Sequence, residues 1–574
     1  MTRFIVVADS HIRFPDDDVE TYPSNAHMVA RNAYVVELCN QIEASFVVHL
    51  GDVVHPLPVE SGHEPAVELA AQVYEQLTHP THFVPGNHDV GDKPNALVAV
   101  PPVADEFYEV FERQWGDPFK SFDVADSHFV IIDTPVLNSG LEREARQREW
   151  LEADLYAASA AGQRIFMFTH YPPFVREPRE REHYDNLGEP GRSWLLGLIK
   201  QHRVEAVFSG HVHNFIYNHL DGTDYYVVPA TGFVRPDYSE LSAVVPESEN
   251  GRDDPAKLGF FVVDIAGAGH RIRPIRTNGA WGSAPLVIPL RTSLRPDWQS
   301  PIGVTLRHGW MTDIEFPTAG LDEFARKTVR NDATLPALWE ARINQLRIPL
   351  ADAGTPERVE RLKALAGRGN RFTVYSAGVP SEAELAAIES LGPALNRWEL
   401  IVPPQSFEPV TEFLAGLDPV AAPNIALGPI VPVGDPSSAV HHFVSTGFAS
   451  ADDPLIDQWL RHDPDHRVGE LVFRIASDQE IRPAFEEAHR TATRVSRGAV
   501  VVIELPRAGE STTFDDDPAV SLRVADAVIA ARLNPEVAVF LDGFMDHDRS
   551  YYPRHGLIDR HHNPRPALYE LVED

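Results

Sequence analysis

Short apolar runs rich in Val, Ile and Phe recur through the first half of the chain, at residues 4–8, 46–50, 82–84, 165–168 and 206–208. Each reads as a buried strand. Helical spacing of apolar positions at 29–42, 66–77, 147–161 and 192–202 separates some of them. Strands alternating with helices predict a layered α/β fold. Residues 121–124 and 129–133 read as an antiparallel hairpin, and 215–219, 225–228 and 260–265 continue the strand pattern. The expectation is two sheets in a sandwich with helices outside, rather than one parallel sheet.

The pattern breaks at a turn-rich stretch running from Thr277 to Pro285, with Arg295-Pro296-Asp297 soon after. This places a first domain at 1–276, a linker at 277–300 and a second domain at 301–574. Strand runs then fall at 303–306, 347–350, 372–375, 398–402, 425–430, 471–475, 500–504 and 537–541. Helical patterns at 336–345, 356–366, 382–391 and 520–533 lie among them. Eight strand–helix units in one domain predict a (β/α)8 barrel. A further run at 440–445 leaves the strand count open.

Composition narrows the picture. A chain of 574 residues suits two domains. The net charge of −34 disfavours nucleic acid, whose nonspecific binding depends on Lys and Arg. No apolar run approaches the ~20 residues that span a bilayer, and the first residues lack a secretory pattern. Cys39 is the single cysteine, so no intrachain disulfide forms. A cytoplasmic protein is expected, with a small phosphorylated substrate and with neither nucleic acid nor membrane as partner.

The candidate chemistry sits at the ends of the first five strand runs. The motifs are Asp9-Ser10-His11, Gly51-Asp52, Gly86-Asn87-His88-Asp89, Thr169-His170 and Gly210-His211-Val212-His213. In open α/β sheets the carboxyl ends of strands are where ligands bind. Asp52 is suited to bridge two cations, Asp9 offers a terminal carboxylate, and Asn87 a carbonyl oxygen. His11, His170, His211 and His213 offer imidazoles. Mixed nitrogen and oxygen donors point to two divalent ions of Mn, Fe, Zn or Co rather than Ca. Two such ions suit hydrolysis of a phosphate ester by a metal-bound hydroxide.

The order of these motifs resembles the calcineurin-like metallophosphoesterase superfamily over roughly residues 1–275. The resemblance implies a four-layer α/β/β/α sandwich. It further implies a first metal on Asp9, His11, Asp52 and His213, and a second on Asp52, Asn87, His170 and His211. His88 would then be catalytic, with Asp89 orienting its imidazole. Pro85 stands where the protein phosphatases of this superfamily carry an Arg, which argues against protein phosphatase activity. His55 stands where purple acid phosphatases carry a metal-binding Tyr, and is weighed as an extra ligand or a loop residue. Val84 to Asp89, His170-Tyr171-Pro172-Pro173 and Ser209 to His213 look most like the cyclic-nucleotide and glycerophosphodiester phosphodiesterase branch. A small organic phosphodiester is the expected substrate, with a phosphomonoester as the alternative. The charged stretch 174–191 after His170 is a candidate cap, with Arg176, Arg179, Arg181 or Tyr184 reaching substrate.

In the second half, the segment from Gly556 to Tyr569 resembles the end of glycoside hydrolase barrels. Retaining glycosidases need two carboxylates roughly 5 Å apart, and Glu399 and Glu504 are the candidates. A binding or structural barrel is the expectation. A bifunctional glycan-related enzyme is the alternative, and the histidines at 441, 442, 547, 555, 561 and 562 invite a metal reading.

Overall fold

β-Branched and aromatic residues on buried strands, joined by helices with one apolar face, dictate the layering seen in the computed structural model. It describes residues 2–14, 22–95, 100–242, 244, 246–267, 269–280, 299–307, 309–317, 326–417, 424–432, 444–449, 453–506, 517–546 and 555–572. The chain divides into two compact units. One comprises Met1–Val287 with Met311–Pro336, and the other Ile288–Trp310 with Ala337–Asp574. Met311–Pro336, which the sequence pattern assigns to the second domain, thus groups with the first. Most of the expected linker, 281–298, lies outside the described residues.

The first unit is built on β1 (Thr2–Val7), β2 (Val47–His49), β3 (Thr81–Phe83), β4 (Lys120–Val124), β5 (Ser127–Ile131), β6 (Arg164–Thr169), β7 (Ala206–Ser209), β8 (Ile216–Leu220), β9 (Thr223–Val227), β10 (Gly259–Ala266) and β11 (Gly269–Arg276). They form a five-stranded sheet of order β11-β10-β1-β2-β3 and a six-stranded sheet of order β4-β5-β6-β7-β9-β8. β1, β2 and β3 run parallel, as do β5, β6, β7 and β9. The sheets face each other across an aromatic layer. Phe4 of β1 stacks on Phe46 at 5.1 Å and meets Phe129, Phe166, Phe168 and Phe208 edge-on.

Helices Glu142–Ala160 and Gly191–His202 bury Leu151, Leu155, Leu195 and Ile199 against Val130, Ile165, Met167 and Val207 of the six-stranded sheet. Helices Met28–Asn40 and His63–Tyr74 contribute Val36, Ala66, Val67 and Ala70 to a core with Phe83 beside the other sheet. This is the α/β/β/α sandwich. Its motif-bearing strands end at Val7, His49, Phe83, Thr169 and Ser209, so the five motifs lie at or shortly after carboxyl ends.

The second unit contains a closed barrel of eight parallel strands: Gly303–Thr305, Gln345–Pro349, Arg371–Ala377, Leu395–Val402, Ile425–Pro432, Glu470–Ile475, Gly498–Ile503 and Ala538–Leu541. Pairing of Leu395–Val402 with Ile425–Pro432 completes the ring. These are the eight strand positions of the hydrophobic pattern. The additional run is the short antiparallel strand Val444–Thr446, with 433–443 outside the described residues. Among the described residues no helix is long and apolar enough to cross a membrane.

Candidate metal centre

The backbone turns sharply where the candidate ligands sit. Asp9, His11, Asp52, His211 and His213 all have left-handed φ, between 45° and 68°. Such conformations are costly for residues with a Cβ and persist only where the surroundings impose them. Packing is correspondingly tight. A Cβ on Gly86 would stand 2.1 Å from the Asp52 amide nitrogen and 2.3 Å from its Oδ1.

The expected ligands converge in two sets, and a third group joins His11 to His55 and His88. Ligand atoms of Asp9, His11, Asp52 and His213 lie within 4.8 Å of one another, as do those of Asp52, His170 and His211. Asp52 belongs to both. Asn87 joins the second, its Oδ1 at 2.9 Å from His170 Nε2 and 3.0 Å from His211 Nδ1. All seven residues are buried.

Backbone carbonyls assign the tautomers. His170 Nδ1 donates to Leu50 O at 2.8 Å, and His213 Nδ1 donates to Phe233 O at 2.9 Å. His211 Nε2 donates to Tyr184 O at 3.3 Å. The other nitrogen of each ring therefore turns its lone pair inward. His213 Nε2 meets His11 Nε2 at 3.0 Å, and His170 Nε2 meets Asp52 Oδ1 at 3.3 Å. An imidazole lone pair facing a carboxylate, as at His170 and Asp52, requires positive charge between them, while no carbonyl fixes the His11 tautomer. At His170 a proton can supply it: burial opposes the charge, but Asp52 carries the imidazole up to about 9. For the whole set divalent cations would supply it, and the donor types fit them. Burial would raise the Asp52 carboxyl, yet His170 and His88 hold it well below the usual carboxylate range. Burial likewise depresses His11 and His211 well below the usual imidazole value.

His88 lies beside this cluster, its ring 4.7 Å from that of His11. Its backbone amide donates to Asp52 Oδ1 at 2.8 Å, and its Nδ1 bonds the His55 carbonyl. This corrects the expectation for Asp89. The Asp89 carboxylate accepts from the Gly86 amide at 2.9 Å and the Val53 amide at 3.0 Å, tying two ligand-bearing loops together. It is a loop brace, and the group on the His88 ring is a backbone carbonyl. Burial and the Asp52 charge raise Asp89 to about 7. His55 places Nδ1 3.3 Å from His11 Nδ1, and burial followed by His88 pushes its imidazole down to about 2.

Of the candidate capping residues, only Tyr184 reaches the ligands. Its ring lies 4.7 Å from that of His211, and its hydroxyl is 3.4 Å from Asn87 Nδ2. Arg176 pairs with Asp313 at 2.7 Å, while Arg179 and Arg181 are exposed. Sequence reasoning overlooked Phe233, whose ring packs 4.8 Å from His11 and 4.5 Å from His213. It also overlooked the carbonyls of Tyr184 and Leu50, because any residue type supplies a carbonyl.

In the barrel, Glu399 is fully buried and accepts from Arg347 Nε at 2.6 Å and Nη2 at 2.5 Å. Glu504 lies 3.6 Å from Arg474. A carboxylate held this way is a poor nucleophile or acid, which disfavours the pair as a glycosidase dyad. Among the described residues, every group of three or more His, Cys, Asp or Glu close enough to hold a metal lies in the first unit. The histidines at 441, 442 and 547 lie outside the described residues.

A model of the calcineurin-like phosphoesterase family matches residues 2–215. Serine/threonine-protein phosphatase CPPED1 of Danio rerio is 31% identical over 223 residues, 38% of this chain and 69% of that protein. Purple acid phosphatase 23 of Arabidopsis thaliana is 30% identical over 174 residues, 28% of this chain and 36% of that protein. A crystal structure of a dimetal phosphatase from Danio rerio aligns with 13% identity and a TM-score of 0.35, over 48% of this chain and 96% of that one. The chain belongs to the calcineurin-like phosphoesterase family.

Proposed function

We propose that the protein is a dimetal phosphoesterase that hydrolyses a small organic phosphodiester. The observation that carries this reading is the pair of ligand sets sharing Asp52. Asp9, His11, Asp52 and His213 would hold one ion, and Asp52, Asn87, His170 and His211 the other. Two divalent ions of Mn, Fe, Zn or Co, when bound, activate water for attack on phosphorus and offset charge on the phosphoryl oxygens.

The chain's own residues then have distinct tasks. Leu50, Phe233 and Tyr184 hold three imidazoles in their ligating tautomers through carbonyls. The His55 carbonyl holds His88 with Nδ1 protonated, leaving Nε2 to exchange a proton with the leaving oxygen. Phe233 and Tyr184 bound the site with apolar faces that suit an organic substituent. Pro85 in place of a guanidinium before Gly86 removes a bidentate clamp for a doubly charged monoester, which favours a diester.

The names of the relatives, a serine/threonine-protein phosphatase and a purple acid phosphatase, favour a second reading, a monoesterase. The manganese-loaded protein offered bis-p-nitrophenyl phosphate and p-nitrophenyl phosphate separates the two. Higher kcat/KM on the first supports the diesterase, and preference for the second overturns it.

A further inference from the structure

The family match ends at residue 215, yet a segment about a hundred residues later is built into the same unit. Strands Asp313–Pro317 and Arg326–Arg330 form an antiparallel hairpin. Phe316 and Val329 share a buried core with Val175, Val212, Ile216, Val227, Tyr238 and Leu241. Val212 lies between the candidate ligands His211 and His213. The segment also occupies the backbone of β8, the edge of the six-stranded sheet. Asp332 Oδ2 accepts from the Tyr217 amide at 3.0 Å, and Arg330 donates to the Tyr217 carbonyl at 2.6 Å.

Lys327 is the polar heart of this contact. Its side chain is 1% exposed. Its Nζ pairs with Asp185, which is fully buried, and with Asp237 Oδ2 at 2.7 Å. Tyr238 and Phe316 lie beneath the ammonium, with ring centroids at 4.4 and 4.9 Å. Arg235 and the Tyr238 hydroxyl also bond Asp185. Asp185 directly follows Tyr184, whose carbonyl accepts from His211 Nε2 and whose hydroxyl meets the Asn87 amide. Asp185, fully buried, and Asp237, half-buried, are held by one lysine and one arginine and repel each other once the lysine charge is gone.

We propose that the paired strands Asp313–Pro317 and Arg326–Arg330 complete the metal centre, with Lys327 as a positioning residue that fixes Asp185 and thereby the Tyr184 carbonyl on His211. This rests on the dimetal reading above. Lys327 touches neither substrate nor metal in this role. Its effect belongs to the position built from Asn87, His170 and His211, while Asp9, His11 and His213 have no bond to Asp185 among the described contacts.

The test titrates full-length, chelator-stripped protein with Mn2+ alone and reads stoichiometry and stepwise affinity by calorimetry. The wild type should take up two ions. Lys327→Met should weaken one of them about 10- to 100-fold, the range for residues that orient metal ligands, and leave the other within twofold. Lys327→Arg should recover most of the loss. If Lys327→Met does not fold, Lys327→Gln keeps two donors and much of the volume, and should weaken the same ion at least threefold. Two ions bound by a folded neutral variant with wild-type affinity would overturn the proposal while leaving the dimetal reading intact. Equal weakening of both ions would also overturn it. Fewer than two ions on the wild type would overturn the dimetal reading and this proposal with it.

Discussion

His11 and His213, far apart in sequence, bring their Nε2 atoms to 3.0 Å. His213 Nδ1 donates to the Phe233 carbonyl, so its Nε2 presents a lone pair, and the contact is favourable with a proton on His11 Nε2 or a cation between the two rings. Replacing either imidazole removes the reason for the convergence. His213→Ala should lose one of two bound metal ions and lower kcat by about a hundredfold or more. Metal content by mass spectrometry, paired with steady-state kinetics, checks it.

Gly86 is irreplaceable for steric reasons. A methyl group there meets the Asp52 amide nitrogen and carboxylate well inside contact distance. Gly86→Ala should therefore displace the shared carboxylate, abolish both metal positions and destabilise the unit by about 2–4 kcal/mol. Urea denaturation and metal content measure the two effects together.

His88 and Asp89 are neighbours in sequence with separate bonding. His88→Ala should reduce kcat by about 10²- to 10⁴-fold with both metals retained. Asp89→Asn should loosen the Gly86 and Val53 loops and lower the melting temperature. Its kcat should stay within about tenfold of wild type. A loss of kcat as large as that of His88→Ala would restore Asp89 as the orienting group.

Asp133 offers a stability test away from the ligands. It is fully buried, accepts from Tyr108 Oη at 2.6 Å, and burial raises its carboxyl to about 7. The folded state thus binds this proton more tightly than the unfolded chain, where a carboxyl titrates near 3.9. The stabilisation is complete below about pH 4 and is lost as the pH rises through 7. Asp133→Asn should flatten the melting temperature across that window relative to wild type.

Glu399 and Arg347 form a bidentate pair inside the barrel. Glu399→Gln leaves a buried guanidinium without its counter-charge and should cost about 3 kcal/mol of barrel stability. A glycosidase nucleophile would instead tolerate the change in stability and lose only activity on aryl glycosides.

What the sequence made legible follows from where the physics is local. Runs such as 164–169 and 498–503 are strands because β-branched and aromatic residues fill them, and all eight barrel strands stand out for that reason. The candidate ligands stand out because Asp, Asn and His directly after such runs are unusual. The hidden part is nonlocal. Nothing in the chain around 311–336 advertises that Lys327 is buried against Asp185, since a hairpin with alternating polar residues reads the same wherever it packs. Asp89 was misread because adjacency in sequence says nothing about which way two side chains point from a short helix, Asn87–Val90. Carbonyl partners such as Leu50 and His55 carry no side-chain signature.

The position of β1 sets an order of events during synthesis. Thr2–Val7 lies between β2 and β10, so the strand leading to Asp9 gains its second neighbour only when Gly259–Ala266 has left the ribosome. The hairpin carrying Lys327 emerges later still. Asp9, the first of the candidate ligands in the chain, is thus among the last whose strand is held on both sides.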